Sequence, residues 1–168
     1  MSKGNKKNTE NGGKRMNDIT VTKGISGKNK ERVIEWTNSR GADFLAQWAG
    51  PKLAFPLTQE QLEQMENLYS VFHDGAFIGM IQKIKTENNN VHIGRFIIDP
   101  EQTGKGFGKE ALLRFMKTIF SDKNIHSITL TVSDTNAHAK RLYEKVGFKI
   151  KETVDAPAKK FIMIAFAN

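Results

Sequence analysis

The chain has 168 residues, enough for one domain with a substantial core and too few for two. It contains no cysteine, which excludes a disulfide framework, a thiol nucleophile and a Cys-based zinc site, and no metal is expected. Half of the net charge of +8 falls in residues 1–15, where Lys3, Lys6, Lys7, Lys14 and Arg15 are offset only by Glu10; no aromatic-basic interleaving accompanies it, so specific nucleic-acid binding is not expected.

Residues 1–17 are rich in Lys, Asn and Gly and hold no apolar side chain between Met1 and Met16. Such a segment cannot bury enough surface to offset the entropy of ordering it, so it is expected to be a disordered tail on a folded domain of residues 18–168. No apolar run reaches bilayer length and no signal-peptide core opens the chain, so a cytoplasmic protein without membrane contact is expected.

From Asp18 to Lys23, Ile19 and Val21 alternate with Thr20 and Thr22, the pattern of a first strand. Lys28 to Asn38 and Ala42 to Trp48 read as two short helices, the first carrying Val33, Ile34 and Trp36, the second Phe44, Leu45 and Trp48. Thr58-Gln59-Glu60-Gln61 has the form of a capping box and opens a helix expected to run to about Asn67. Tyr69 to His73, the turn Asp74-Gly75 and Ala76 to Lys85 form a hairpin signal, and a second turn at Asn88-Asn89-Asn90 leads into Val91 to Ile98. Regular alternation along that strand puts His92 and Gly94 on one side and Arg95 and Ile97 on the other.

Asp99-Pro100 ends the strand, and Gly104, Gly106 and Gly108 follow at alternate positions. Phe107, Ala111, Leu112, Phe115, Met116 and Ile119 then mark one face of a helix that begins at the glycines. A helix start offers unpaired N–H groups and partial positive charge, and Lys105 and Lys109 add formal charge beside it; the stretch is a candidate phosphate site. It is not a P-loop, because Glu110 stands where Ser or Thr is required, and its glycine spacing does not fit a dinucleotide fingerprint. Downstream come a strand at His126 to Val132, a helix at Asn136 to Val146, and strands at Gly147 to Thr153 and Phe161 to Phe166 joined by a loop with Pro157.

The stretch from Thr103 to Gly108, TGKGFG after an apolar strand, resembles the acyl-CoA-binding motif of the GNAT N-acetyltransferase superfamily, with Thr103 where relatives carry Gln or Arg. Asn136 to Phe148, NAHAKRLYEKVGF, matches the same superfamily's second motif position by position, and the resemblance extends over roughly Tyr69 to Phe166. It implies an α/β (α+β type) single domain: a mixed, mostly antiparallel sheet of six to seven strands, flanked by helices, with a central parallel pair splayed near Ile98 and Val132. It also implies acetyl-CoA held by Phe96, Ile97, Ile98, Thr103, Gly104, Lys105, Gly106, Phe107, Gly108, Lys109, Asn136, Tyr143 and Lys145, and direct acetyl transfer to a primary amine.

In that family the N–H that stabilises the reacting carbonyl comes from main chain near Ile97 or Ile98, and a tyrosine at the position of Tyr143 is the acid. Trp36, Phe44, Gln47 and Trp48 are the corresponding candidates for the acceptor wall, the alternative for each aromatic being that it packs its helix on the sheet. The strand before the glycine loop has no Glu to act as base; His92, Arg95, Asp99, His73 and Glu35 are the nearby alternatives, and none is assigned. The expected acceptor is a small-molecule or peptide amine, and the chain a monomer or homodimer. The wall holds few acids, Glu35 and Asp43, which disfavours a strongly polycationic acceptor. The alternative reading is a non-catalytic acyl-CoA-binding or sensing module.

Overall fold

The structure, a computed structural model, describes residues 18–168. The expected disordered tail of residues 1–17 lies outside the described residues. In chain order the elements are β1 (Ile19–Lys23), α1 (Gly27–Asn38), α2 (Ala42–Ala49), α3 (Gln59–Glu63), β2 (Leu68–His73), β3 (Ala76–Glu87), β4 (Asn90–Ile98), α4 (Phe107–Phe120), β5 (Ser127–Ser133), α5 (Ala137–Lys145), β6 (Lys149–Val154) and β7 (Lys160–Phe166). They build one seven-stranded sheet in the order β1-β2-β3-β4-β5-β7-β6, antiparallel except for β4 and β5. No described helix is long and apolar enough to cross a membrane.

The two hairpins form where the sequence indicates. Asp74 and Gly75 (φ 52° and 83°), and Asn88 and Asn89 (φ 53° and 63°), take the left-handed conformations that a two-residue hairpin turn requires. Every residue of the periodic face of α4 is buried. It packs with α5 on one side of the sheet against Ile81, Val91, Ile93, Ile128, Leu130 and Met163. Helices α1 to α3 cover the other side of β2 to β4, burying Val33, Leu45, Leu62, Phe77, Met80 and Ile97.

Helix α3 is shorter than expected. Both bonds of its capping box form, Thr58 N–H to Gln61 Oε1 at 2.8 Å and Gln61 N–H to Thr58 Oγ1 at 3.1 Å, yet the helix stops at Glu63. Tertiary pairing overrides the local pattern: the Glu66 carbonyl accepts from Gln82 Nε2, the Asn67 carbonyl from the Lys83 N–H, and Asn67 turns to φ 57° so that Leu68 enters the core.

Simple alternation also fails along β4. Gln82 pairs with Gly94 but Met80 with Ile97, so β4 carries one extra residue, and Arg95 sits in the bulge at φ 49°. Val91 and Ile93 face α4, whereas Ile97, which unbroken alternation would put on their side, packs among α1 to α3 and leaves Phe96 and Ile98 to the α4 side. Arg95 lies on the α2 side with Ile97, and not on the side opposite Gly94 and Gln82.

Candidate active site

Strands β4 and β5 are paired only at Asn90 with Ser127, Val91 with Ile128 and His92 with Thr129. Beyond His92 the bulge turns β4 away, and the two strands part around a cleft of about 470 Å³. The cleft passes through the sheet: Lys109 and the residues of α5 line it on one side, Phe44, Gln47 and Trp48 of α2 on the other.

The glycine loop lies at its α4 end. Gly106 is the N-cap of α4 at φ 86° and, lacking a side chain, makes no capping bond. The first-turn N–H groups of Phe107, Gly108 and Lys109 thus remain free for an anion. Gly104, at φ 81°, has open space where a Cβ would stand, and a Cβ on Gly108 would reach Leu142, Ile98 and Phe96 only at 3.7 to 3.9 Å. Lys109, Arg141 and Lys145 add positive charge beside His138, and among the described residues no Asp or Glu lines the cleft. The residues present fit an elongated ligand carrying phosphates.

Of the sequence-derived cofactor residues, Phe96, Ile97, Ile98, Thr103, Gly104, Gly106, Gly108, Lys109, Asn136, Tyr143 and Lys145 all line the cleft. Lys105 and Phe107 do not. Lys105 Nζ donates to Gln102 Oε1 at 3.1 Å, and Phe107 turns its ring into the core, 4.3 Å from that of His73, leaving only its backbone at the loop. The Thr103 hydroxyl donates to the Pro100 carbonyl at 3.0 Å, so the residue replacing Gln or Arg ties down the turn and has no donor left for a phosphate. The Asn136 side chain caps α5, its Oδ1 accepting from Ala139 N–H at 3.2 Å.

The Asp99 N–H donates to the Ile78 carbonyl at 2.7 Å, across to β3. Since successive peptide groups of a strand point in opposite directions, the N–H of Ile98 is turned toward the cleft. This decides between Ile97 and Ile98 as the cleft-facing donor. Tyr143 packs edge-on to Phe148 with ring centroids 6.0 Å apart, and its hydroxyl has no hydrogen-bond partner among the described residues. Burial pushes the phenol up to about 12.

Of the wall candidates, Phe44, Gln47 and Trp48 line the cleft and Trp36 does not. Trp36 stacks on Phe77 at 5.6 Å and 10° with Arg32 over its ring, half-buried against the α1 to α3 core and outside the cleft lining. Trp48 is pinned by its Nε1, which donates to Thr37 Oγ1 at 3.1 Å. Among the base candidates only Arg95 lines the cleft. Asp99 caps the following turn through Glu101 N–H and pairs with Arg32 at 3.7 Å. His92 lies behind the cleft, its Nδ1 2.8 Å from Thr129 Oγ1, with burial lowering its pKa.

Gly94, Thr131, His138 and Arg141 also line the cleft and escaped the sequence reading. For α5 a signal was there: His138, Arg141, Leu142 and Lys145 recur at helical spacing. For Gly94 and Thr131 only strand pairing brings them to the opening.

An α/β domain whose sheet is opened between two parallel strands, beside an uncapped helix start, is a domain built around an elongated anionic ligand. The chain belongs to the acetyltransferase (GNAT) family, whose sequence model matches residues 32–148. It is 31% identical over 93 residues to the spermine/spermidine N(1)-acetyltransferase of Bacillus subtilis (strain 168), covering 52% of this chain and 59% of that protein. To the spermidine N(1)-acetyltransferase of Vibrio cholerae it is 33% identical over 105 residues, covering 53% of this chain and 60% of the relative. The chain therefore spans about three fifths of the length of these curated relatives. Among solved structures, aminoglycoside acetyltransferase AAC(6')-Ib in complex with coenzyme A and kanamycin superposes with a TM-score of 0.67 at 26% identity, covering 88% of this chain and 95% of that one. The Vibrio cholerae spermidine N-acetyltransferase with CoA and spermine gives a TM-score of 0.72 at 20% identity over 89% of this chain and 96% of that one, a likeness of fold.

Proposed function

We propose that the protein is an acetyl-CoA-dependent N-acetyltransferase that moves the acetyl group directly to a primary amine. The observation that carries this reading is the cleft itself, which joins an anion-binding helix start to an aromatic wall through a gap in the sheet. Family membership and relatives that acetylate spermidine support it. Acetyl-CoA, when bound, supplies the activated acetyl group. The N–H groups of Phe107 to Lys109 bind its phosphates, with Lys109, Arg141 and Lys145 neutralising their charge; Asn136 holds the start of α5 beside it. The N–H of Ile98 orients the acyl end and favours the charge that develops on the carbonyl oxygen, a type of contact worth about 10²–10³ in turnover.

Tyr143 holds a proton at its Oη for the departing sulfur. A phenol raised to about 12 is fully protonated at neutral pH, and its hydroxyl is not committed elsewhere. Among the described residues no carboxylate lines the cleft, and no side chain is assigned as the base; an amine already neutral in part, or a water chain, removes the need for one. A pool of acetyl-CoA places the protein in the cytoplasm. The test is CoA release from acetyl-CoA across amino acids, polyamines, aminoglycosides and short peptides, with acetyl-CoA binding measured by calorimetry in parallel. Turnover of any amine supports the reading; tight binding without turnover of any amine refutes it in favour of a sensing module.

A further inference from the structure

The charge of the cleft is one-sided, and its parts have different addresses. Lys109 on α4 and His138, Arg141 and Lys145 on α5 belong to the phosphate side. Arg95 does not: it stands on the opposite side of the sheet, beside the Phe44, Gln47 and Trp48 wall. Its Nε donates to the Ala49 carbonyl at the end of α2 at 3.1 Å, and its Nη1 to Gln82 Oε1 at 3.1 Å. Both acceptors are neutral, and among the described residues Arg95 forms no ion pair. The C-terminal dipole of the eight-residue α2 offsets part of the charge, but three of the five guanidinium N–H bonds have no partner among the described residues.

Such an arrangement is costly to maintain. The guanidinium is half-buried, desolvation lowers its pKa from the usual arginine range, and the residue is held at a left-handed φ of 49° that a non-glycine side chain disfavours. A half-buried cation without a carboxylate partner among the described residues, at the mouth that admits the acceptor, is complementary to an anion carried by that acceptor. The same charge, with no Asp or Glu in the lining, repels a polycation.

We propose that the acceptor of this transferase carries a carboxylate, or a group of like charge, near its amine, and that Arg95 selects it; polyamines and aminoglycosides are rejected. This rests on the acetyltransferase reading above and names its substrate class. The test uses matched pairs: α- and ω-amino acids and dipeptides, each against its carboxamide, with spermidine and kanamycin as polycations, and rates compared at equal free-amine concentration. An acid is expected to exceed its amide by about 10- to 100-fold in kcat/KM, the range for one charge-assisted contact. Arg95→Gln should reduce that ratio to near unity while Arg95→Lys keeps most of it, with acetyl-CoA affinity unchanged in both.

A best substrate among the polycations, or equal rates within every pair, overturns the proposal with wild-type protein alone, whatever the variants do to folding. A preference that survives Arg95→Gln overturns the assignment to Arg95. If acetyl-CoA does not bind, the transferase reading fails as well; if it binds and amines react without a charge preference, only the anionic acceptor fails.

Discussion

Replacing Tyr143 by Phe removes one oxygen from the cleft and little else. The hydroxyl has no partner among the described residues, so its loss leaves no orphaned donor or acceptor behind, and the ring still packs edge-on to Phe148 at 6.0 Å. Stability should change by no more than about 0.5 kcal/mol, the range for a substitution that breaks no bond and opens no cavity. Acetyl-CoA affinity, which rests on the helix start and the basic residues, should be nearly unaltered. Turnover should fall by about 10²–10³, or about 2.7–4 kcal/mol of transition-state stabilisation, as expected when a positioned acid is removed.

Three measurements separate the effects: CoA release with a thiol reagent for kcat and KM, calorimetry for acetyl-CoA affinity, and thermal melting for stability. The pH profile adds a fourth. Burial raises the folded-state pKa of Tyr143 to about 12, so its neutral, donating form is retained as pH rises, and no loss of activity from its ionisation should be seen between pH 7 and 10. A Tyr143→Phe protein that loses acetyl-CoA affinity but turns over normally at saturation would refute the acid role, because the hydroxyl would then serve binding alone.

Gly79 meets β4 closely: a Cβ there would lie 2.5 Å from the Ile97 carbonyl oxygen and 2.8 Å from Ile98 Cδ1. Gly79→Ala should cost about 1–3 kcal/mol and lower Tm by several degrees, and by displacing Ile97 and Ile98 it should also raise the KM for acetyl-CoA; an unchanged melting curve would show that β4 yields freely. Thr103→Arg restores a guanidinium beside the glycine loop and should tighten acetyl-CoA binding by about 3- to 10-fold at low salt, a gain that fades as ionic strength rises; calorimetry in two salt concentrations checks it. Thr58→Ala removes the bond from Gln61 N–H to Thr58 Oγ1, leaving the backbone bond to Gln61 Oε1, and should cost about 1 kcal/mol without changing KM for either substrate, because no residue of α3 lines the cleft.

The readable features share a cause. Asn and Gly at the hairpin turns, the six-residue apolar face of α4, the capping box at Thr58 and the glycines before α4 are local: the residues that decide them lie within a turn or two of one another. The misread features are decided at a distance. Helix α3 ends early because Gln82 and Lys83, some 16 residues on, take the carbonyls of Glu66 and Asn67. Trp36 and Trp48 look alike in sequence and are both half-buried against the same cluster, yet stacking on Phe77 holds one away from the cleft, and a bond to Thr37 leaves the other at it.

By itself the sequence determined the order of strands and helices, the glycine-rich, uncapped start of α4 and the membership that its two motifs carry. Only the tertiary structure decided that β4 carries an extra residue against β3, that the sheet consequently opens beyond His92, and that Arg95 is set beside α2 without a carboxylate partner among the described residues. The physical reason is register: a one-residue slip between strands leaves every local propensity unchanged while exchanging which side chains meet across the sheet.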